Sequence, residues 1–272
     1  MVAFAPPDRL PPILESELLA RTTPRPGAPD LKLPQVIGHR GAKAYAPENT
    51  LASIRKAAAL GATWVEVDVA LTSDGVPVIL HDATLTRTTG YAADLARTPY
   101  AEVEKLDAGK LFDSRFTGEK VPTLAALIAL LSELEVGLNL EIKPTPGCDI
   151  ATTRATCATL DRLWPDHLPL PLLSSFQRPC LREARAQAPH YPRGLLDEAL
   201  PDKWRDDLAA LACRSLHLST GKIDRNHVAA VKQTDYLLAV YTVNDGARAK
   251  QLLDWGVDAI ITDVPDVILA AR

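Results

Sequence analysis

The chain has 272 residues, 47% hydrophobic and 24% charged, enough to bury a full core in a single domain. A net charge of −4 and a pI near 5.9 leave no global basic field to hold nucleic acid or an anionic membrane surface, so any anionic substrate has to be met locally. No apolar run reaches membrane-spanning length, the N-terminus lacks a secretory pattern, and the four cysteines (Cys148, Cys157, Cys180, Cys213) are widely spaced with no C-x-x-C pair; a cytoplasmic protein with packed thiols, no membrane insertion and no nucleic-acid partner is expected.

Residues 1–34 are thick with proline, as in Pro6-Pro7, Pro11-Pro12 and Pro24-Arg25-Pro26, and read as an extension with one short helix over Ile13 to Ala20. The remainder, 35–272, reads as one domain. Its first strand is Gln35 to Gly38, ending in His39-Arg40-Gly41. Glu48-Asn49-Thr50 then precedes a helix over Leu51 to Leu60, with Asn49 or Thr50 placed to cap it; Glu48 and Asn49 stand equally well as cap residues or as residues of a site mouth.

From Trp64 to Asp82 two β-branched runs flank the polar turn Thr72-Ser73-Asp74-Gly75. Alternation puts Glu66 and Asp68 on one face and Val65, Val67 and Val69 on the other. The connection is too short for a parallel crossover, so the second run returns antiparallel and brings His81 back beside the carboxylates. In a regular strand Asp82 points away from His81. Residues 83–120 show no strand period, and read as an insertion with short helical pieces.

A helix over Leu124 to Leu134, capped by Thr123, leads into Gly137 to Lys143, where Asn139, Glu141 and Lys143 share a face. Strands follow at Leu170 to Ser174, Arg193 to Leu196, Ser215 to Leu218, Leu237 to Val243 and Ala259 to Ile261. Helices intervene near Ala151 to Leu163, Pro179 to Gln187, Asp202 to Ala212, Asp224 to Lys232 and Ala247 to Leu253, and a last one starts at Pro265. With the return strand set aside, each of eight strands is followed by a helix, which is the α/β pattern of a (β/α)8 TIM barrel. In that architecture reactive groups lie at the C-terminal strand ends. Here those ends carry His39-Arg40, Glu66 and Asp68, Glu141 and Lys143, Ser174-Ser175-Phe176, Tyr241 to Asn244, and Thr262-Asp263. His217 is expected to be structural or a peripheral contact, and His167, His190 and His227 to be solvated.

The set His39-Arg40-Gly41, Glu48-Asn49-Thr50, Glu66-x-Asp68, His81-Asp82, Glu141-x-Lys143, Ser174-Ser175-Phe176 and Thr242-Val243-Asn244 resembles the glycerophosphodiester phosphodiesterase family over about Val36 to Asp263. Within it, Pro171 to Phe176, Pro192 to Glu198, Arg205 to His217 and Val240 to Asn244 look like the cytosolic bacterial members associated with glycerol-phosphate uptake. Many relatives carry Trp where this chain has Tyr241, an exchange expected to alter glycerol packing and leave the chemistry intact.

The resemblance implies metal-dependent hydrolysis of glycerophosphodiesters such as glycerophosphocholine and glycerophosphoethanolamine to sn-glycerol 3-phosphate and an alcohol. Glu66, Asp68 and Glu141 supply the hard oxygens preferred by one divalent ion, Mg2+ or Ca2+, and the triad lacks the His and Cys ligands that favour zinc. His39 and His81 are expected to act as acid and base in either order, and Arg40 and Lys143 to bind the phosphate. Ser175, Phe176 and Tyr241 are expected to line the glycerol pocket. The nucleophile is water or the substrate's own 2-hydroxyl. Competing readings are a lysophospholipase D-like phosphodiesterase, favoured by an apolar rim around Leu111, Phe112 and Phe116, and a non-catalytic binding barrel. The oligomeric state stays open, a homo-oligomer included.

Overall fold

The computed structural model describes residues 31–272; most of the proline-rich stretch, with the helix expected over Ile13 to Ala20, lies outside the described residues. Nine strands form one sheet: β1 (Val36–His39), β2 (Trp64–Leu71), β3 (Pro77–Ile79), β4 (Gly137–Ile142), β5 (Leu172–Ser175), β6 (Arg193–Asp197), β7 (Ser215–Ser219), β8 (Leu237–Tyr241) and β9 (Ala259–Thr262). Eight are parallel, and the pairing of β1 with both β9 and β2 closes them into the expected barrel. β3 pairs antiparallel with the end of β2 from outside it, Val69 opposite Ile79. The turn between them is tied by Gly75 N–H to the Thr72 carbonyl (3.1 Å).

The long helices form the outer layer: α1 (Leu51–Ala59), then, after two short helices, α4 (Leu124–Leu134), α5 (Asp149–Leu163), α6 (Arg178–Gln187), α7 (Trp204–Leu211), α8 (Arg225–Lys232), α9 (Gly246–Trp255) and α10 (Pro265–Ala271). Thr50 and Thr123 cap α1 and α4, accepting from Ser53 N–H and Ala126 N–H. Outward-facing residues such as Val65, Val67, Leu138 and Leu140 pack on these helices in one core half, and Leu195, Leu216, Leu218 and Val240 in the other. Burial of apolar side chains between barrel and helix ring is the main driving force for the fold.

Inside the barrel, side chains of the opposite parity stack in layers. The N-terminal end is filled by Ile37, Trp64, Leu172, Ala239, Ala259 and Ile261, with Leu31 and Leu33 packed against them. Gly137 is required there, since a Cβ at that position would lie 2.3 Å from the Trp64 indole. Two residues further along β2 and β4 the same parity brings Glu66 beside Asn139, and then Asp68 beside Glu141. An apolar floor therefore carries a polar upper layer.

Segment 83–120 holds the short helices α2 (Thr86–Thr89) and α3 (Tyr100–Val103) with two 3-10 turns. It has a small core of its own, in which Leu85, Leu95, Val103, Ala108 and Val121 pack on Val78 and Leu80. The cysteines are free; Cys157, Cys180 and Cys213 are buried, and burial pushes the Cys157 and Cys213 thiols up to about 12. No helix among the described residues is long and apolar enough to cross a membrane.

Candidate active site

The C-terminal mouth opens into a cavity of about 230 Å³ lined by His39, Arg40, Glu66, His81, Asn139, Glu141, Lys143, Phe176 and Tyr241, among others. His39 is the last residue of β1, and the chain then turns sharply, with Arg40 (φ 49) and Gly41 (φ 88) both left-handed. Gly41 has little room for a side chain, because a Cβ would lie 2.6 Å from the Ser53 carbonyl carbon. Ser53 of α1 ties the turn down, its hydroxyl donating to the Arg40 carbonyl (2.8 Å) and accepting from Ala42 N–H (2.9 Å). A left-handed arginine costs energy that this staple offsets.

Glu66, Asp68 and Glu141 are buried, and one carboxylate oxygen from each lies within 4.8 Å of the others. Burial, then the charges of Asp68 and Glu141, raise the Glu66 carboxyl well above its ordinary value; burial and Asp68 push Glu141 up to about 8. Asp68 goes the other way. Against its burial, Arg40 (3.4 Å), Lys143 (3.5 Å) and the Asn49 amide (2.9 Å) hold it below the usual range. A donor set of three hard oxygens that repel one another fits a divalent cation, whose charge reverses the repulsion. The triad is a possible metal site.

Each imidazole has a carboxylate partner. His39 Nδ1 lies 2.6 Å from Asp263 Oδ1, and its Nε2 faces Glu66 at 3.9 Å. Asp263 is itself fixed by Asn244, through Nδ2 to Oδ2 (2.8 Å) and by its own N–H to Asn244 Oδ1 (2.9 Å). His81 Nδ1 lies 2.6 Å from Asp82 Oδ1, while the Lys143 ammonium contacts Nε2. An ammonium can only donate, so His81 is neutral with its proton on Nδ1. Burial lowers its affinity for a second proton, against the pull of Asp68.

Several expectations need correction. Asp82 does not point away from His81: β3 ends at Ile79, and the bend that follows breaks the alternation and puts the two side chains in contact. Thr50 alone caps α1, which frees Asn49 (φ 57) to reach Asp68 and Glu48 to bind Arg40 at 2.7 Å. Ser175 is not a cavity residue. It is buried with its hydroxyl donating to the Ile142 carbonyl (2.6 Å) and accepting from Gln177 N–H, while Ser174 has the inward parity. Phe176 and Tyr241 do line the cavity and meet edge to face at 6.1 Å, and the Tyr241 hydroxyl donates to the Asp197 carbonyl (2.9 Å).

His217 is fully buried against Ser215 (2.9 Å). His190 is not solvated, since it pairs with Asp161 (3.0 Å) and stacks on Tyr191, and His227 completes the capping box of α8. Asp263 and Asn244, which the sequence put at the mouth without a role, and Asp82, which it left out of the catalytic set, belong to the site. For the first two, their position at barrel strand ends was the available signal.

The sequence profile described as the Glycerophosphoryl diester phosphodiesterase family matches residues 39–267. A Glycerophosphodiester phosphodiesterase of Caldanaerobacter subterraneus is 34% identical over 239 residues, covering 86% of this chain and 96% of that protein. Among solved structures, an Oleispira antarctica phosphodiesterase in complex with the product sn-glycerol-3-phosphate is 41% identical with a TM-score of 0.86, over 88% of this chain and 96% of the other. A glycerophosphodiester phosphodiesterase from Agrobacterium tumefaciens is 29% identical with a TM-score of 0.75, over 88% and 100%.

Proposed function

Because the chain belongs to the glycerophosphoryl diester phosphodiesterase family, we propose that it hydrolyses glycerophosphodiesters such as glycerophosphocholine and glycerophosphoethanolamine to sn-glycerol 3-phosphate and an alcohol. The observation that carries this reading is the convergence, in one cavity, of the carboxylate triad with two carboxylate-backed imidazoles, Arg40 and Lys143. The catalytic domain is taken as 35–272 with 83–120 as its insertion, and of the preceding stretch 1–34, Leu31 and Leu33 pack on the barrel floor.

Mg2+ or Ca2+ held by Glu66, Asp68 and Glu141 would supply Lewis-acid charge for the phosphoryl oxygens. Arg40 and Lys143 gather the same oxygens and offset charge that grows in the transition state. His81, neutral and with Nε2 free once Lys143 turns from it to the phosphoryl oxygens, is the base that takes the proton of the attacking hydroxyl. His39, held through Nδ1 by Asp263, is the acid that protonates the departing alcohol oxygen from Nε2. The attacking group is water, or the glycerol 2-hydroxyl, which displaces the alcohol to give a cyclic phosphate that water then opens to sn-glycerol 3-phosphate; the latter route gains from effective molarities of about 10⁵ to 10⁸ M. Phe176 and Tyr241 pack against the glycerol moiety.

The test is a coupled assay for sn-glycerol 3-phosphate released from glycerophosphocholine and glycerophosphoethanolamine, with and without chelator. Activity should vanish on chelation, and in His39→Ala and His81→Ala with melting curves preserved; full turnover in metal-free buffer would refute the mechanism. A lysophospholipase D-like activity has one observation in its favour. Leu111 and Phe112 are 59% and 45% exposed on the insertion, and line a concavity that shares Glu48 and Arg87 with the site's ion pairs. Faster turnover of lysophosphatidylcholine than of glycerophosphocholine would select that reading.

A further inference from the structure

Arg87 belongs to α2 on the insertion, outside the barrel, yet its guanidinium forks onto two carboxylates at once. Nε and Nη2 donate to Asp82 at 2.6 and 3.1 Å, and Nη1 and Nη2 donate to Glu48 at 2.8 Å each. Those carboxylates have second partners: Asp82 holds His81 Nδ1 at 2.6 Å, and Glu48 holds Arg40 Nη1 at 2.7 Å. We propose that Arg87 is a positioning residue for the reaction, one guanidinium that fixes the imidazole of His81 through Asp82 and the phosphate-binding Arg40 through Glu48.

The platform behind Arg87 suits that task. Leu85, immediately before α2, is fully buried in the insertion's own core with Leu95 and Val103, and Gly90 (φ 76) closes the helix in a left-handed cap. The base of the side chain is therefore fixed although the side chain itself is 48% exposed. An exposed ion pair contributes little to stability. Its effect on rate is a separate matter, because a misplacement of about 1 Å of a reacting group can cost on the order of 10²-fold. Only a planar five-donor fork can hold two carboxylates in two directions; an ammonium acts as a point charge and cannot reproduce the geometry.

The inference rests on the proposed hydrolysis and is tested with the full chain and its divalent ion on glycerophosphocholine. Arg87→Ala should lower kcat about 10²-fold, the loss expected when a reacting group is misplaced, and should raise KM several-fold. In the Asp82→Asn and in the Glu48→Gln background the same change should cost clearly less than in the wild type, since one route is already cut, and in the Asp82→Asn/Glu48→Gln double background it should leave both kcat and KM unmoved. Arg87→Lys, which retains the charge, should recover only part of kcat, and also serves if Arg87→Ala does not fold. Additive losses in both backgrounds, or a lowered melting temperature with kcat and KM intact, would overturn the inference alone. A wild-type chain without turnover would overturn the function reading and this inference with it.

Discussion

The two imidazoles of the mouth are held alike at Nδ1 and differently at Nε2: Lys143 occupies that atom in His81, whereas His39 Nε2 looks toward Glu66. Burial lowers the His81 pKa below the ordinary imidazole value, so its basic form persists as the medium is acidified. With the ion at concentrations that keep the triad loaded across the pH range, the acid limb of kcat/KM is therefore expected below about pH 6.5, the ordinary imidazole value, and a limb above it would contradict His81 as the base. The division of labour has its own signature. With a p-nitrophenyl leaving group, which departs without a proton, His39→Ala should lose far less of its rate than with glycerophosphocholine, where a loss of about 10² to 10⁴-fold is expected. His81→Ala should lose the same factor with both, and equal losses for the two variants across both substrates would refute the assignment. Strand parity puts Glu66, Asp68 and Glu141 on the inner face, and His39, Arg40 and Lys143 stand at strand ends, but it was the family resemblance that joined them with His81 into a set. The role of Asp82 was not legible, since the bend after Ile79 breaks that parity, and that of Arg87 was not, since its reach depends on where the insertion folds.

At the scale of elements, β2 and β4 do two jobs on one inner face. Their first inward residues, Trp64 and Gly137, belong to the apolar floor, and the next ones, Glu66, Asp68, Asn139 and Glu141, to the mouth. Gly137→Ala forces a methyl group against the indole, an overpacking expected to cost about 1–3 kcal/mol. The urea midpoint should fall by that cost divided by the m-value while kcat/KM stays near wild type, because the clash is at the end of the barrel opposite the chemistry. A large loss of kcat/KM would show that floor and mouth are coupled. The barrel's elements were legible because each strand alternates or is continuously apolar, and each helix is long enough to show a 3.6-residue period. Segment 83–120 was legible only as irregular. Its helices span four residues each, too short for any period, and its core is assembled from Leu85, Leu95, Val103, Ala108 and Val121, whose spacings match no single element. Strand ends were misjudged where a side chain rather than the ladder decides. Ser175, bonded to the Ile142 carbonyl, extends β5 to a residue expected to face the cavity.

For the whole molecule, closure of the barrel concentrates acidic groups from β2 and β4 in a buried place, and that has a consequence for stability. In the ion-free protein Glu141 keeps its proton up to about pH 8, whereas the unfolded chain releases it near 4.5, so the folded state binds the extra proton throughout that window. Stability from this group is present below the window and is lost as pH rises through it; Glu66, also raised, acts in the same direction. His217 opposes them. Its folded pKa is lowered to about 4 by burial against 6.5 unfolded, so its contribution is present above that window and is lost as pH falls through it. A single melting profile mixes the two, but the difference between melts with and without ion cancels His217, which is not a ligand. A dication that binds only the folded chain stabilises it by mass action, and it competes with the protons on Glu66 and Glu141. The melting-temperature gain from saturating Mg2+ or Ca2+ over chelator is therefore expected to grow steadily from about pH 5.5 to about pH 8.5, across the window in which the carboxylates ionise. A gain independent of pH would mean that the triad is already ionised without the ion, or that the ion binds elsewhere. The same measurement on Glu141→Gln separates these, since binding elsewhere leaves its gain equal to that of the wild type.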